Sequence, residues 1–239
     1  MIFLTNGCSM ASGFECTMPS KQSPEDYEYA WPAQLCNINN VEGINLSKPG
    51  QSNWSIATNL QSFIIENLHI KNELKVIVGW TDFHRHEFVD DNNEVFNINT
   101  GVATNIKNKT YIEDWMKRKD VKLAVDYWLI QSLDSRMSYF SWIYFSLKNF
   151  LENYKIPYLF FNSISDPIQP KKDAILNTPS MSKVWDILHN DKNYYQEVSQ
   201  FDWLKENYPT HTTGDGVGQP HWNPIALRAW AEFLSTKIT

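Results

Sequence analysis

The chain has 239 residues, 42% of them hydrophobic and 20% charged, which suits one globular domain able to bury roughly 75% of the surface its unfolded chain would expose. Nine Gly and eleven Pro exclude collagen-like and linker-dominated classes, and an aromatic share of 14% with ten Trp excludes a disordered chain. The net charge is −6 and Lys and Arg form no run, so the footprint needed to bind nucleic-acid phosphates is missing.

Ile2-Phe3-Leu4-Thr5 is a short unbroken apolar run that predicts a strand over 2–5, buried on both faces and ended by the turn pair Asn6-Gly7. Residues 11–28 are polar and rich in Pro and Ser, and are expected to form a long loop over Gly7-Cys8-Ser9. A helix begins near Trp31-Pro32-Ala33, a weak second strand follows at 41–46, and residues 47–53 are rich in turn formers. Ile56, Leu60, Phe63 and Ile64 share one face of a helix predicted over 54–68, with Ser52 or Asn53 as its cap. The clearest strand is 74–79, with Trp80-Thr81-Asp82 directly after it. Residues 90–112 are Asn-rich and irregular, with a small hairpin expected around Thr100-Gly101.

Apolar residues then recur at helical spacing over 113–154, a length at which a globular helix is expected to break or kink. Residues 157–162 read as another buried strand. The stretch 166–212 has no strand pattern and suggests short helices at 181–189 and 201–207, an insertion in a single domain spanning 1–239. A last helix is predicted over 224–236, with Pro224 in its first turn. Strands alternating with helices imply βαβ crossovers and a parallel sheet, whose sites lie beyond the carboxyl ends of the strands. The loops at 6–9, 47–53, 79–82 and 162–165 should therefore converge on one rim.

Cys8, Cys16 and Cys36 cannot all pair within the chain and none sits in a C-x-x-C, which points to a reducing compartment and not to a zinc site. The apolar start Ile2-Phe3-Leu4 is too short for a signal peptide core, and no apolar stretch approaches the length of a membrane span, so a cytoplasmic protein is expected.

Gly7-Cys8-Ser9 after the first strand, Gly50 and Asn53 after the second, Gly79-Trp80-Thr81 after a later strand, and His221-Trp222-Asn223-Pro224 before the last helix resemble, in this order, the SGNH (GDSL-like) hydrolase superfamily. The resemblance runs from Gly7 to Leu234. With Arg85-His86-Glu87 following the third turn, it comes nearest to the uncharacterised SGNH-like proteins often carried by tailed bacteriophages, which would place the protein in a host cytoplasm. It implies a three-layer α/β/α sandwich with a central, mostly parallel, flavodoxin-like sheet and a helical insertion. The implied activity is that of a serine esterase acting on an O-acyl ester of a carbohydrate or small metabolite. No metal and no organic cofactor is implied, and the partner is the ester substrate alone, without nucleic acid or membrane.

By position, the resemblance makes Ser9 the nucleophile and one backbone donor to the oxyanion, Gly50 a second backbone donor, and Asn53 an assisting amide. Thr81 stands where the family has an oxyanion-binding Asn, and Asp82 and Arg85 fall beside it as substrate-binding candidates. Arg85 either braces the rim by pairing with Glu87 or Asp82 or grips an anionic group. His221 matches the catalytic His. The family's acid lies three residues earlier, where this chain has Gly218, so Asp215 is the expected substitute and a Ser-His dyad the alternative. The chemistry stands on its own terms. A serine hydroxyl needs a base, His is suited to that role near neutral pH, and a carboxylate on the other ring nitrogen fixes its tautomer.

Rival readings accompany each residue. Cys8 is a second candidate nucleophile but more simply a small buried residue, and His84 with His86 makes a weak metal pair. Trp31, Trp80 and Trp222 adjoin the proposed loops and are expected either to fill space or to stack on a sugar or acyl group. The replaced amide and acid also suit a catalytically lapsed scaffold that serves as a binding or virion-associated protein. A phosphoester hydrolase is the weakest reading, for lack of metal ligands.

Overall fold

The computed structural model describes residues 1–17, 24–89, 95–98, 117–164, 183–184, 186–188, 190–213 and 221–238. Its centre is a five-stranded sheet in the order β2-β1-β3-β6-β7, formed by β1 (Ile2–Asn6), β2 (Glu42–Asn45), β3 (Leu74–Trp80), β6 (Tyr158–Asn162) and β7 (Tyr194–Tyr195). Every pairing in it is parallel, with Leu4 opposite Ile44 and Val76, and Ile77 opposite Leu159. β1 and β3 lead their crossovers in opposite directions, so the gap between their carboxyl ends is the switch point of the sheet.

Side chains alternate between two cores. Leu4, Val76, Val78, Trp80, Tyr158 and Phe160 face α4 (Asn53–Glu66) and α6 (Leu133–Tyr154). Phe3, Ile77, Leu159 and Phe161 face α3 (Trp31–Asn39) and α8 (Pro224–Ser235). This is the expected three-layer sandwich, and each fully buried large apolar side chain in it contributes about 1.5–3 kcal/mol.

Several boundaries follow from local chemistry. Ser52 caps α4 by accepting from the Ser55 N–H, and Asn223 caps α8 by accepting from the Ala226 N–H, with Pro224 in the first turn as expected. The long helical region breaks at Gln131, giving α5 (Lys119–Ile130) and α6, because Ser132 takes an extended conformation and caps α6.

Three expectations differ from what is observed. The span expected as one loop contains two short helices, α1 (Ser9–Ser12) and α2 (Pro24–Tyr29). The hairpin expected around Thr100-Gly101 lies outside the described residues, while the segment expected to be irregular supplies β5 (Val95–Ile98), paired with β4 (His86–Val89) in a hairpin. α5 packs on it through Val121, Val125 and Trp128, against Ile98, Phe88 and Phe96, as a satellite core. The region expected to lack strands supplies β7 at the sheet edge, before α7 (Gln200–Asn207). Two residues are too few to show an apolar alternation in sequence. A last antiparallel pair, β8 (Thr212–Thr213) with β9 (His221–Trp222), places His221 just before α8.

Candidate active site

Ser9 opens α1 immediately beyond β1. The strand end is fixed by Asn6, fully buried, whose amide donates to the Ile56 carbonyl and whose side-chain oxygen accepts from the Gly7 N–H. A Cβ on Gly7 would lie 2.7 Å from the Ala11 Cβ and 3.2 Å from the Gly79 carbonyl oxygen, so the chain turns from strand to helix here because residue 7 has no side chain. Cys8 is extended and its carbonyl accepts from the Ala11 and Ser12 N–H groups. Its side chain is buried in the core, which agrees with the packing reading, while Ser9 is half-buried.

The segment after α1 carries a residue that the sequence did not single out. Gly13 ends α1 with φ 75, and a Cβ there would meet the Asp26 carbonyl oxygen at 2.2 Å, so both the dihedral and the close approach of α2 require glycine. The buried Asp26 carboxylate then accepts from the Thr17 hydroxyl at 2.5 Å, the Thr17 N–H at 3.2 Å and the Cys16 thiol at 3.3 Å. Burial and the neighbouring Asp26 push that thiol up to about 12, so Cys16 acts as a donor and not a thiolate. Between these two anchors Glu15 is held at φ 61, a left-handed conformation that costs a non-glycine residue on the order of 1 kcal/mol or more and that turns its side chain toward α8. Its Oε2 lies 2.7 Å from Nδ1 of His221.

His221 is positioned from the other end of the chain. It pairs with Thr213 in the short antiparallel ladder, and the Asn223 N–H donates to the His211 carbonyl, which fixes the backbone just before α8. The Phe14 ring meets the imidazole edge-to-face with centroids 5.5 Å apart. Ser9, Gly13, Phe14, His221 and Leu227 line one tight cleft, so the residues expected as nucleophile and base border the same place. A carboxylate only accepts, so Nδ1–H donates to Glu15, and a neutral His221 carries its lone pair on Nε2. The side chains of Glu15 and His221 are only 16% and 18% exposed, which keeps this pair largely out of solvent.

Gly50 turns the second loop with φ 80, and Gln51 braces that loop by accepting from the Lys48 N–H at 2.8 Å. Asn53 is buried, and its side chain grips the Thr81 backbone, accepting from the N–H at 2.9 Å and donating to the carbonyl at 3.1 Å. The amide expected to assist the oxyanion is thus engaged in joining α4 to the end of β3. The Thr81 hydroxyl is buried with no hydrogen-bond partner among the described residues. Asp82 accepts from the His84 N–H at 2.9 Å and shapes the turn toward β4. Arg85 donates from Nη1 to the Gln51 carbonyl at 3.2 Å, while Glu87 accepts from the Ser52 and Ser55 hydroxyls, so the arginine braces the rim through a carbonyl.

The two histidines face a cation. Arg136 lies 2.8 Å from His84 Nδ1 and spreads over the Trp128 ring, 3.8 Å from its centroid. His86 stacks on Tyr139, and burial, with Arg136 and His84 nearby, pushes it down to about 4. A guanidinium beside this pair opposes a divalent metal. Trp31, Trp80 and Trp222 are fully buried and fill space; Trp80 packs edge-on against Phe140 and Phe160. Asp215 lies outside the described residues. Glu15 escaped notice because its partner is 206 residues away in sequence and no local spacing announces the pair.

No protein-family model and no curated protein sequence matches the chain. Among solved structures it is similar to a member of the lipolytic protein G-D-S-L family from Veillonella parvula, with 10% identity, a TM-score of 0.52 and 100% of both chains covered. It is also similar to TesA, with 9% identity, a TM-score of 0.51, and 100% of this chain and 98% of that one covered. The protein thus has the three-layer α/β/α fold, on a parallel sheet, of the SGNH, or G-D-S-L, proteins.

Proposed function

We propose that the protein is a serine esterase that cleaves an O-acyl ester of a carbohydrate or small metabolite through an acyl-Ser9 intermediate, with His221 as base and Glu15 as the acid behind it. The observation that carries this reading is the 2.7 Å contact between Glu15 Oε2 and His221 Nδ1 in a chain where Ser9 and His221 border the same cleft. It supplies the carboxylate that Gly218 leaves missing three residues before the His, and so weighs against the lapsed scaffold.

In the forward step Ser9 Oγ attacks the ester carbonyl carbon while its proton passes to His221 Nε2. Glu15 remains ionised and stabilises the imidazolium through Nδ1–H. Backbone N–H groups at Ser9 and Gly50 are the donors assigned to the developing oxyanion, each worth about 3–4 kcal/mol in comparable sites. His221 then gives its proton to the departing alkoxide, which leaves acyl-Ser9. Water attacks the acyl carbon, loses its proton to His221, and Ser9 recovers that proton as the acid leaves. Acyl transfer to another alcohol uses the same intermediate.

The test is labelling with a fluorophosphonate probe alongside hydrolysis of 4-nitrophenyl acetate. Both are expected in the native protein, and both should vanish in Ser9→Ala and His221→Ala. A folded protein that neither labels nor turns over the ester is a lapsed scaffold, and the proposal is then wrong.

A further inference from the structure

Trp31, Trp80 and Trp222 are interior, but two other tryptophans are exposed. Trp54, on the first turn of α4, and Trp142, on α6, are 39% and 59% exposed, and they stack with centroids 5.7 Å apart and ring planes 7° from parallel. Trp54 follows Asn53, whose side chain grips the Thr81 backbone, so this aromatic pair begins one residue from the rim of the candidate active site.

The surroundings are chemically unusual. A fifth of the chain is charged, yet no charged residue occurs on α4 from Ser52 to Ile65 or on α6 from Met137 to Leu147. A solvent-facing helix ordinarily carries charges on its outer face. Beside the rings these two helices offer hydroxyls and an amide, Thr58, Gln61 and Ser146, with Gln61 Nε2 donating to Ser146 Oγ at 3.3 Å across the two helices, and the one carboxylate joined to this turn among the described residues, Glu87, is engaged by the Ser52 and Ser55 hydroxyls.

A ligand that fits must offer apolar faces to the indoles and neutral hydroxyls to the amide and serines. Polynucleotides and acidic polymers need cations that these stretches of the two helices lack. Membrane surfaces call for basic side chains beside the apolar ones. A neutral sugar has both required features, because the C–H face of a pyranose stacks on an indole while its rim of hydroxyls hydrogen-bonds to uncharged donors and acceptors. We propose that the Trp54–Trp142 surface is a platform for a neutral polysaccharide chain, the carrier of the acyl group cleaved at Ser9. The platform deepens the esterase reading by choosing the glycan over the small metabolite, and rests on that reading for the identity of the acylated chain.

Binding is separated from turnover by working in the Ser9→Ala protein. Isothermal titration is carried out with the hexaoses of xylose, glucose and mannose, and with hexagalacturonate as an acidic comparison. At least one neutral hexaose should bind in preference to the acidic one, with affinity falling tenfold or more in Trp142→Ala and less in Trp142→Phe. Melting temperatures establish that the variants fold, and Trp54→Ala gives a second measurement if Trp142→Ala does not. No binding to any neutral hexaose, or binding unaltered by both alanine variants, overturns the platform. So does sedimentation in which the native chain self-associates and Trp142→Ala does not, since the surface is then an interface between copies. Loss of the platform with Ser9-dependent hydrolysis of 4-nitrophenyl acetate intact leaves the esterase standing. Hexaose binding in a protein that hydrolyses no ester upholds the platform and removes the esterase.

Discussion

Glu15→Gln removes one charge from the pair with His221 while keeping the side-chain shape. With Oε2 and Nδ1 2.7 Å apart, the centres of carboxylate and imidazolium are about 4 Å apart, and at an effective dielectric near 20 their attraction is about 4 kcal/mol. An effective dielectric near 20 suits a pair only 16% and 18% exposed, and its residual contact with solvent weakens the attraction slightly. An imidazolium destabilised by about 3–4 kcal/mol lowers kcat/KM by roughly 10²–10³. The assay is initial-rate hydrolysis of 4-nitrophenyl acetate from pH 6 to 9, with the rate of fluorophosphonate labelling as a second readout and thermal melts to show that the fold survives. Measuring Asp215→Asn in parallel ranks the two acids, and the larger loss belongs to Glu15. A Glu15→Gln protein within about threefold of native, beside inactive Ser9→Ala and His221→Ala, refutes the assignment, because a loss that small is under about 0.7 kcal/mol.

Three further outcomes follow from the packing. Gly13→Ala drives a methyl to 2.2 Å from the Asp26 carbonyl at a φ of 75, costing more than about 2 kcal/mol, so calorimetry should record a melting temperature lower by at least about 4–8 °C together with lost activity as Glu15 swings away. Asn53→Ala leaves the buried Thr81 N–H and carbonyl unpaired and should cost about 2–4 kcal/mol in urea unfolding; a loss below about 1 kcal/mol means water replaces the amide. His86 is held near 4 by burial with Arg136 and His84, while its unfolded value is about 6.5, so the unfolded chain binds the extra proton between those values. Stability is therefore complete above about pH 6.5 and is lost as pH falls toward 4, by at most about 3 kcal/mol from this residue, and His86→Phe, which keeps a ring against Tyr139, should flatten that part of the pH profile.

Much of the scaffold was legible because its signals are local. The apolar runs around Leu4, Val76 and Phe160, the spacing of Ile56, Leu60 and Ile64, and signals such as the Ser52 cap and Pro224 in a first turn report the strands and helices directly, since period and capping are properties of neighbouring residues. Alternation of strand and helix then requires parallel crossovers, and with them a rim that gathers the loops after Asn6, Asn45 and Trp80. Ser9 and His221 are singled out by the family resemblance and not by period or capping, and they fall directly after β1 and before α8.

Tertiary structure alone decided which carboxylate faces the imidazole and which tryptophans face solvent. Sequence proximity favours Asp215, six residues from His221 and outside the described residues, whereas among the described residues the carboxylate in contact is that of Glu15, delivered by a turn that Gly13 and Asp26 fix against α2. Trp31, Trp80 and Trp222 adjoin site loops along the chain but point into the cores, whereas Trp54 and Trp142 meet only because α4 and α6 pack side by side on one face of the sheet. A contact between residues distant along the chain is chosen by how whole elements pack, and no short window of sequence encodes that choice.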